Sequence, residues 1–140
     1  MRSPTSLLAA LVLAAACSDG TEPSPVLAVS SRLLAAAVDS GGTVVVRVEA
    51  TNPGDRRLTA KSGSSCVATA RIETPVGKVV ATPTILCAPV VTTYHFAPGD
   101  TSQWDIGLDV RSPPGPYVVV ASLVIGTAVR YQDTLALAVQ

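Results

Sequence analysis

Apolar and polar residues alternate over much of the chain, the period-two signature of strands whose two faces meet different surroundings. Over residues 43–51, Val44, Val46, Val48 and Ala50 share one face, and Val45, Arg47, Glu49 and Thr51 share the other. Asn52-Pro53-Gly54-Asp55 then stops the strand with turn chemistry. Residues 66–73 alternate again, which predicts Cys66, Ala68, Ala70 and Ile72 inward and Val67, Thr69, Arg71 and Glu73 outward. Pro75-Val76-Gly77-Lys78 predicts a turn into a short return strand over residues 79–82. Between 103 and 110 the alternation is clearest, with Trp104, Ile106, Leu108 and Val110 opposite Gln103, Asp105, Gly107 and Asp109.

Residues 117–125 are apolar on both faces, as expected of a strand at the centre of a sheet. Gly126-Thr127 predicts a hairpin into residues 129–139, where Leu135, Leu137 and Val139 point inward. Nearer the start, 26–29 and 33–38 read as one strand broken around Ser30-Ser31. A helical turn over 33–38 is the alternative, because Ala favours helix. About seven strands, with turn signals between them, argue for an all-β fold. Its expected form is an antiparallel immunoglobulin-like β-sandwich over residues 26–140. On that frame Trp104 is the expected central core residue, and Tyr117, after Pro114-Gly115-Pro116, resembles a tyrosine corner.

Composition agrees with that frame and narrows the setting. The chain is 48% hydrophobic and 14% charged, which excludes disorder along its whole length. Ten basic residues balance ten acidic ones, so nothing in the charge favours nucleic acid. The start of the chain is different in kind. Residues 7–16 form an apolar run of ten behind Arg2, too short for a membrane-spanning helix of about 20 residues. It suits the core of a secretory signal. Leu13-Ala14-Ala15-Ala16-Cys17 resembles a bacterial lipoprotein signal, which implies cleavage after residue 16 and a lipid on Cys17. An ordinary secretory signal cleaved nearby is the alternative. Residues 18–25 are polar and rich in Pro and Ser, and would act as a tether reaching about 26 Å. The same lipoprotein resemblance implies outer-membrane sorting for Ser directly after the cysteine and inner-membrane retention for Asp there; here Ser18 comes first and Asp19 second, which leans to the outer membrane. The expected location is therefore the bacterial cell envelope, with the membrane as a partner through the anchor.

A further resemblance rests on turns and strands together. Val48 through the Asn52-Pro53-Gly54-Asp55 turn, the Ile72–Val80 unit around Gly77-Lys78, and Ala97-Pro98-Gly99-Asp100 followed by Trp104 come in a familiar order. With Pro114-Gly115-Pro116-Tyr117 they make the chain similar, over residues 43–123, to the intracellular proteinase-inhibitor (BsuPI-type) domain. The resemblance implies a sandwich and, as a function, protease inhibition. The chain departs from it in carrying an export signal. It also has Ala81-Thr82-Pro83-Thr84-Ile85-Leu86-Cys87 where that domain has an aromatic-rich segment.

Candidate chemistry is sparse. With Cys17 assigned to the anchor, Cys66 and Cys87 remain, 21 positions apart, and an even pair in an exported chain predicts a disulfide. A redox or metal-binding pair is the alternative, with no CxxC and no second histidine beside it. His95 is the single histidine, flanked by Tyr94 and Phe96. It reads as a strand or loop residue, or as part of an aromatic contact surface. Arg56, Arg57 and Lys61 form the one basic cluster, in a segment expected to be a solvated loop. Asp105 and Asp109 are expected on a solvated strand face. No phosphate-binding loop, nucleophile elbow or metal-ligand spacing is present, so neither catalysis nor a cofactor is expected. Two functions follow as expectations. One is a non-catalytic binding or structural module, recognising an envelope component through residues 56–65 and 83–96. The other is a protease inhibitor presenting residues 83–89, with Ile85 and Leu86 at the tip.

Overall fold

In the computed structural model, which describes residues 26–140, the alternating segments become the strands of two facing sheets. The expected leader, Cys17 and the tether lie outside the described residues. In chain order the strands are β1 (Ala28–Leu33), β2 (Ala37–Val38), β3 (Thr43–Thr51), β4 (Leu58–Ser62) and β5 (Ala68–Glu73). They continue with β6 (Val79–Ala81), β7 (Thr92–Phe96), β8 (Thr101–Asp109), β9 (Gly115–Ile125) and β10 (Val129–Val139). One sheet has the order β1-β3-β8 and the other β2-β10-β9-β5-β6. Strands β4 and β7 pair only with each other. All pairings are antiparallel except the short contact of β2 with β10. The fold is an all-β sandwich of immunoglobulin-like type.

The core is what the alternation demands. Val44, Val46, Val48 and Ala50 of β3, with Ile106 and Leu108 of β8, face Ala70 and Ile72 of β5 and Val119, Ala121, Leu123 and Ile125 of β9. β9 lies between β10 and β5, and its Val119, Val120 and Ala121 are all buried, so a strand apolar on both faces does sit centrally. Gly77 (φ +85°) turns the chain from β5 into β6, its N–H donating to the Thr74 carbonyl at 2.9 Å. The Tyr117 hydroxyl donates to the Pro113 carbonyl, four residues upstream, at 3.0 Å, as a tyrosine corner requires.

Four local expectations are corrected. Ser30 and Ser31 lie inside β1, which pairs with β3 without interruption, and residues 37–38 are extended rather than helical. The Ser31 hydroxyl has partners across the sandwich, which removes the reason for a break. Val67 is buried rather than outward, because the strand phase begins only at Ala68 and the Val67 carbonyl takes the Val124 N–H. Trp104 is half-buried, stacked edge-on against Tyr94 at 6.3 Å, while Phe96 is the fully buried aromatic. Finally, residues 58–62 and 92–96 are not loops but the paired strands of a ribbon.

Candidate functional site

The ribbon and the part of the β6–β7 segment around Cys87 form one end of the sandwich. Leu58 pairs with Phe96, Ala60 with Tyr94 and Ser62 with Thr92. Period two then divides the ribbon into faces. Ala60, Ser62 and Phe96 are buried, whereas Thr59, Lys61, Thr93 and His95 look outward. The His95 Nδ1 lies 3.2 Å from the Thr59 hydroxyl on that outer face. The aromatic trio predicted as a surface is therefore split. His95 faces solvent, Tyr94 packs on Trp104, and Phe96 closes the core.

Asn52 fixes the ribbon to the sandwich. Its buried side chain donates to the carbonyls of Phe96 (2.9 Å) and Arg56 (2.7 Å) and accepts from the N–H of Gly54 (3.0 Å). Its backbone bonds Asp100 and Gly99. Sequence reading saw in Asn52 only a strand stop; its burial beside a Pro-Gly turn was not legible. Leu27, Leu58, Phe96, Ala128 and Val129 line a mostly apolar cleft of about 160 Å³ between the ribbon, the start of β10 and the start of the described chain.

The second part of this end is the stretch of the β6–β7 segment around Cys87. Cys66 and Cys87 are disulfide-bonded. Beside the bridge the Ser65 N–H donates to the Ala88 carbonyl, and the Ala88 N–H donates to the Ser65 hydroxyl. Held at that point, the segment leaves Leu86 99% exposed and Val91 79% exposed, with Ile85 and Val90 about half-exposed. Most of the predicted candidates are thus gathered at one end, with Arg56 and Arg57 leading into β4, Lys61 on it and Leu86 beside the disulfide, while Ile85 follows Thr84, which lines a depression with Asp109 and Arg111. Arg56, Arg57 and Lys61 are all exposed.

Elsewhere the polar groups pair along strands. Arg47 makes two hydrogen bonds of 2.7 Å to Asp105 directly across β3 and β8. That bonding raises the guanidinium and lowers the carboxyl from their ordinary pKa values. Asp109 accepts from the Thr43 hydroxyl at 3.0 Å. The two aspartates thus belong to separate cross-strand pairs. Between the facing edges of β1 and β10, the Ser31 and Tyr131 hydroxyls both donate to Asp133 Oδ2, at 2.9 and 3.1 Å. This cluster was not singled out in the sequence. Among the described residues no group of three or more His, Cys, Asp or Glu could hold a metal ion.

No protein-family model matches the chain, and no curated protein matches it. Solved structures resemble it in fold. Spo0M, the sporulation control protein of Bacillus subtilis, is 17% identical with a TM-score of 0.49 over 82% of this chain and 49% of its own. The chain thus spans about half the length of that protein. A β-glucosidase from Listeria innocua is 11% identical with a TM-score of 0.46, covering 81% of this chain and 16% of its own. The PapD-like domain 7 of human CEP192 is 17% identical with a TM-score of 0.35, covering 98% and 96%. At these identities and TM-scores no ligand or activity passes from them to this chain.

Proposed function

We propose that the protein is a lipid-anchored component of the bacterial cell envelope whose sandwich is a non-catalytic binding or structural module. The observation that carries this reading is the fixed display of aliphatic side chains beside the disulfide, with Leu86 99% exposed one residue from Cys87. Clustered exposed apolar surface marks contact sites in folded domains, and a segment held at Cys87 and Ala88 loses little entropy on contact. The leader and Cys17 support the anchor. Photo-crosslinking in intact cells tests the module, with benzoylphenylalanine at position 86 in one variant and at position 78, exposed in the Gly77 turn, in another. The expected result is adducts, to protein or lipid, from position 86 and none from 78. Adducts from 78 alone, or from neither position, overturn the reading.

Protease inhibition is the second reading, favoured by the same constraint on residues 83–89 and by the BsuPI-type resemblance. A protease cleft takes an extended, pre-organised loop, and the bridge at Cys87 supplies the rigidity. Titrating proteases with the oxidised chain separates the two. Inhibition shows as stoichiometric loss of activity with the loop uncut; a module shows ordinary cleavage between residues 82 and 91.

A further inference from the structure

Ten large hydrophobic residues are exposed among the described residues, and they are not evenly spread. Five of them, Val26, Leu86, Val90, Val91 and Val124, lie at the end of the sandwich that carries the ribbon and the disulfide. Pairing fixes that placement. The start of β1 lies against the end of β3, the start of β5 against the end of β9, and Val124 bonds Val67 next to Cys66. Gly126, in the hairpin after β9, abuts the Lys61 carbonyl of the ribbon. Leu27 shares its cleft with the ribbon and the start of β10. Val26, the first described residue, therefore lies at this same end, together with Arg57 and Lys61. Only Asp55 and Asp100 add negative charge in the adjoining turns.

We propose that this end faces the membrane and that Leu86 and Val91 insert into the lipid surface. The inference rests on the anchor at Cys17 and names the bilayer as the partner of the contact surface proposed above. The geometry fits the chemistry. A tether of residues 18–25 reaches about 26 Å at most, so an anchored Cys17 holds the Val26 end of the domain within that distance of the bilayer. Aliphatic tips flanked by cations suit a boundary where acyl chains meet anionic headgroups. At the opposite end, Val76 in the Gly77 turn is 91% exposed, and provides a control of equal exposure.

The test uses the full chain, expressed with its leader in a bacterium that processes lipoproteins, extracted in detergent and reconstituted into vesicles. The vesicles contain phosphatidylethanolamine and phosphatidylglycerol with brominated acyl chains, which quench nearby indoles. Three variants, Leu86→Trp, Val91→Trp and Val76→Trp, each add one indole at an exposed position, and the emission of Trp104 common to all is subtracted. The expected result is a blue shift and loss of most emission at 86 and 91, with none at 76. Equal quenching at all three positions, or none at 86 and 91, overturns the membrane-facing assignment. Mass spectrometry of the same preparation reads the anchor separately. An acylated Cys17 with unquenched indoles at 86 and 91 sinks this inference alone, while an unacylated Cys17 removes it together with the anchor. A dimer in sedimentation, dissolved by Leu86→Ser and accompanied by no quenching, gives the patch to a second copy of the chain instead.

Discussion

Asn52 shows how one buried polar side chain holds a non-local junction. Three of its side-chain hydrogen bonds join the end of β3, the turn after it and the end of β7. Ala at this position strands the Phe96 carbonyl in the interior, and leaving a buried polar group unpaired is costly. Asn52→Ala should therefore lower stability by about 2–3 kcal/mol, measured as a fall in the urea midpoint with the m-value unchanged. Asp133 makes a different kind of prediction. The Ser31 hydroxyl above all, and then the Thr134 N–H, hold its carboxyl below the ordinary value. Burial first of all raises the Tyr131 phenol, which stays a donor at neutral pH. Because the folded pKa of Asp133 is depressed, its contribution is present above the unfolded carboxylate value of about 3.9. It is lost as pH falls through the lower folded value. The stability gap between wild type and Ser31→Ala should be constant from neutral pH down to about 5 and shrink steadily below about 4. Urea unfolding across that range checks it, and a gap that widens in acid would refute the assignment.

Among the elements, the β4–β7 ribbon depends on one glycine outside it. Gly126 sits at φ +56°, and a Cβ built there runs into the Lys61 backbone carbonyl. Gly77 has φ +85° but open space around it. Gly77→Ala should cost about 1 kcal/mol, the left-handed backbone penalty alone. Gly126→Ala adds a backbone collision and should cost about 3 kcal/mol. It should also speed amide exchange across β4 and β7. Equal costs for the two variants would show that the hairpin and ribbon do not press on each other. The ribbon is also where sequence reading stopped short. Leu58-Thr59-Ala60-Lys61-Ser62 has only two strongly apolar positions to carry a period. Its partner begins 34 residues later in register, with Thr92 opposite Ser62 as the nearest pair in sequence, 30 apart. Local pattern holds no record of such a pairing.

At the scale of the whole molecule, the disulfide ties two segments that the strand ladders leave separate. Cys66 leads into β5, while Cys87 lies in the segment between β6 and β7. Replacing both by Ser should cost about 3 kcal/mol, the value expected for a closed loop of this size. The loss should be local in its consequence. Limited proteolysis of the double variant is expected to cut first between residues 82 and 91, while amides of β3, β8 and β9 keep their slow exchange. Simultaneous exposure of all strands would mean that the bridge holds the sandwich itself. The two sheets have their own fastening on the opposite side, where Ser31 on the edge strand β1 meets Tyr131 and Asp133 on β10. Inward-pointing polar groups at such an edge also discourage pairing with another chain.

What the sequence determined by itself follows from short-range rules. Strand faces in β3, β8 and β10 were legible because side chains alternate at every second residue, whatever the neighbouring strand, and the central place of β9 because it is apolar on both faces. The Gly77 and Gly126 turns were legible because few residues accept positive φ. The cysteine pair was legible by counting. Only the tertiary structure decided which strands are neighbours, that Trp104 sits at the margin while Phe96 fills the core, and that residues 58–62 and 92–96 are a ribbon. It also decided that Leu86, Val91, Arg57 and Lys61 share an end with Val26. These depend on contacts between segments far apart in sequence, selected by complementary packing and shared hydrogen bonds, and local periodicity is blind to them.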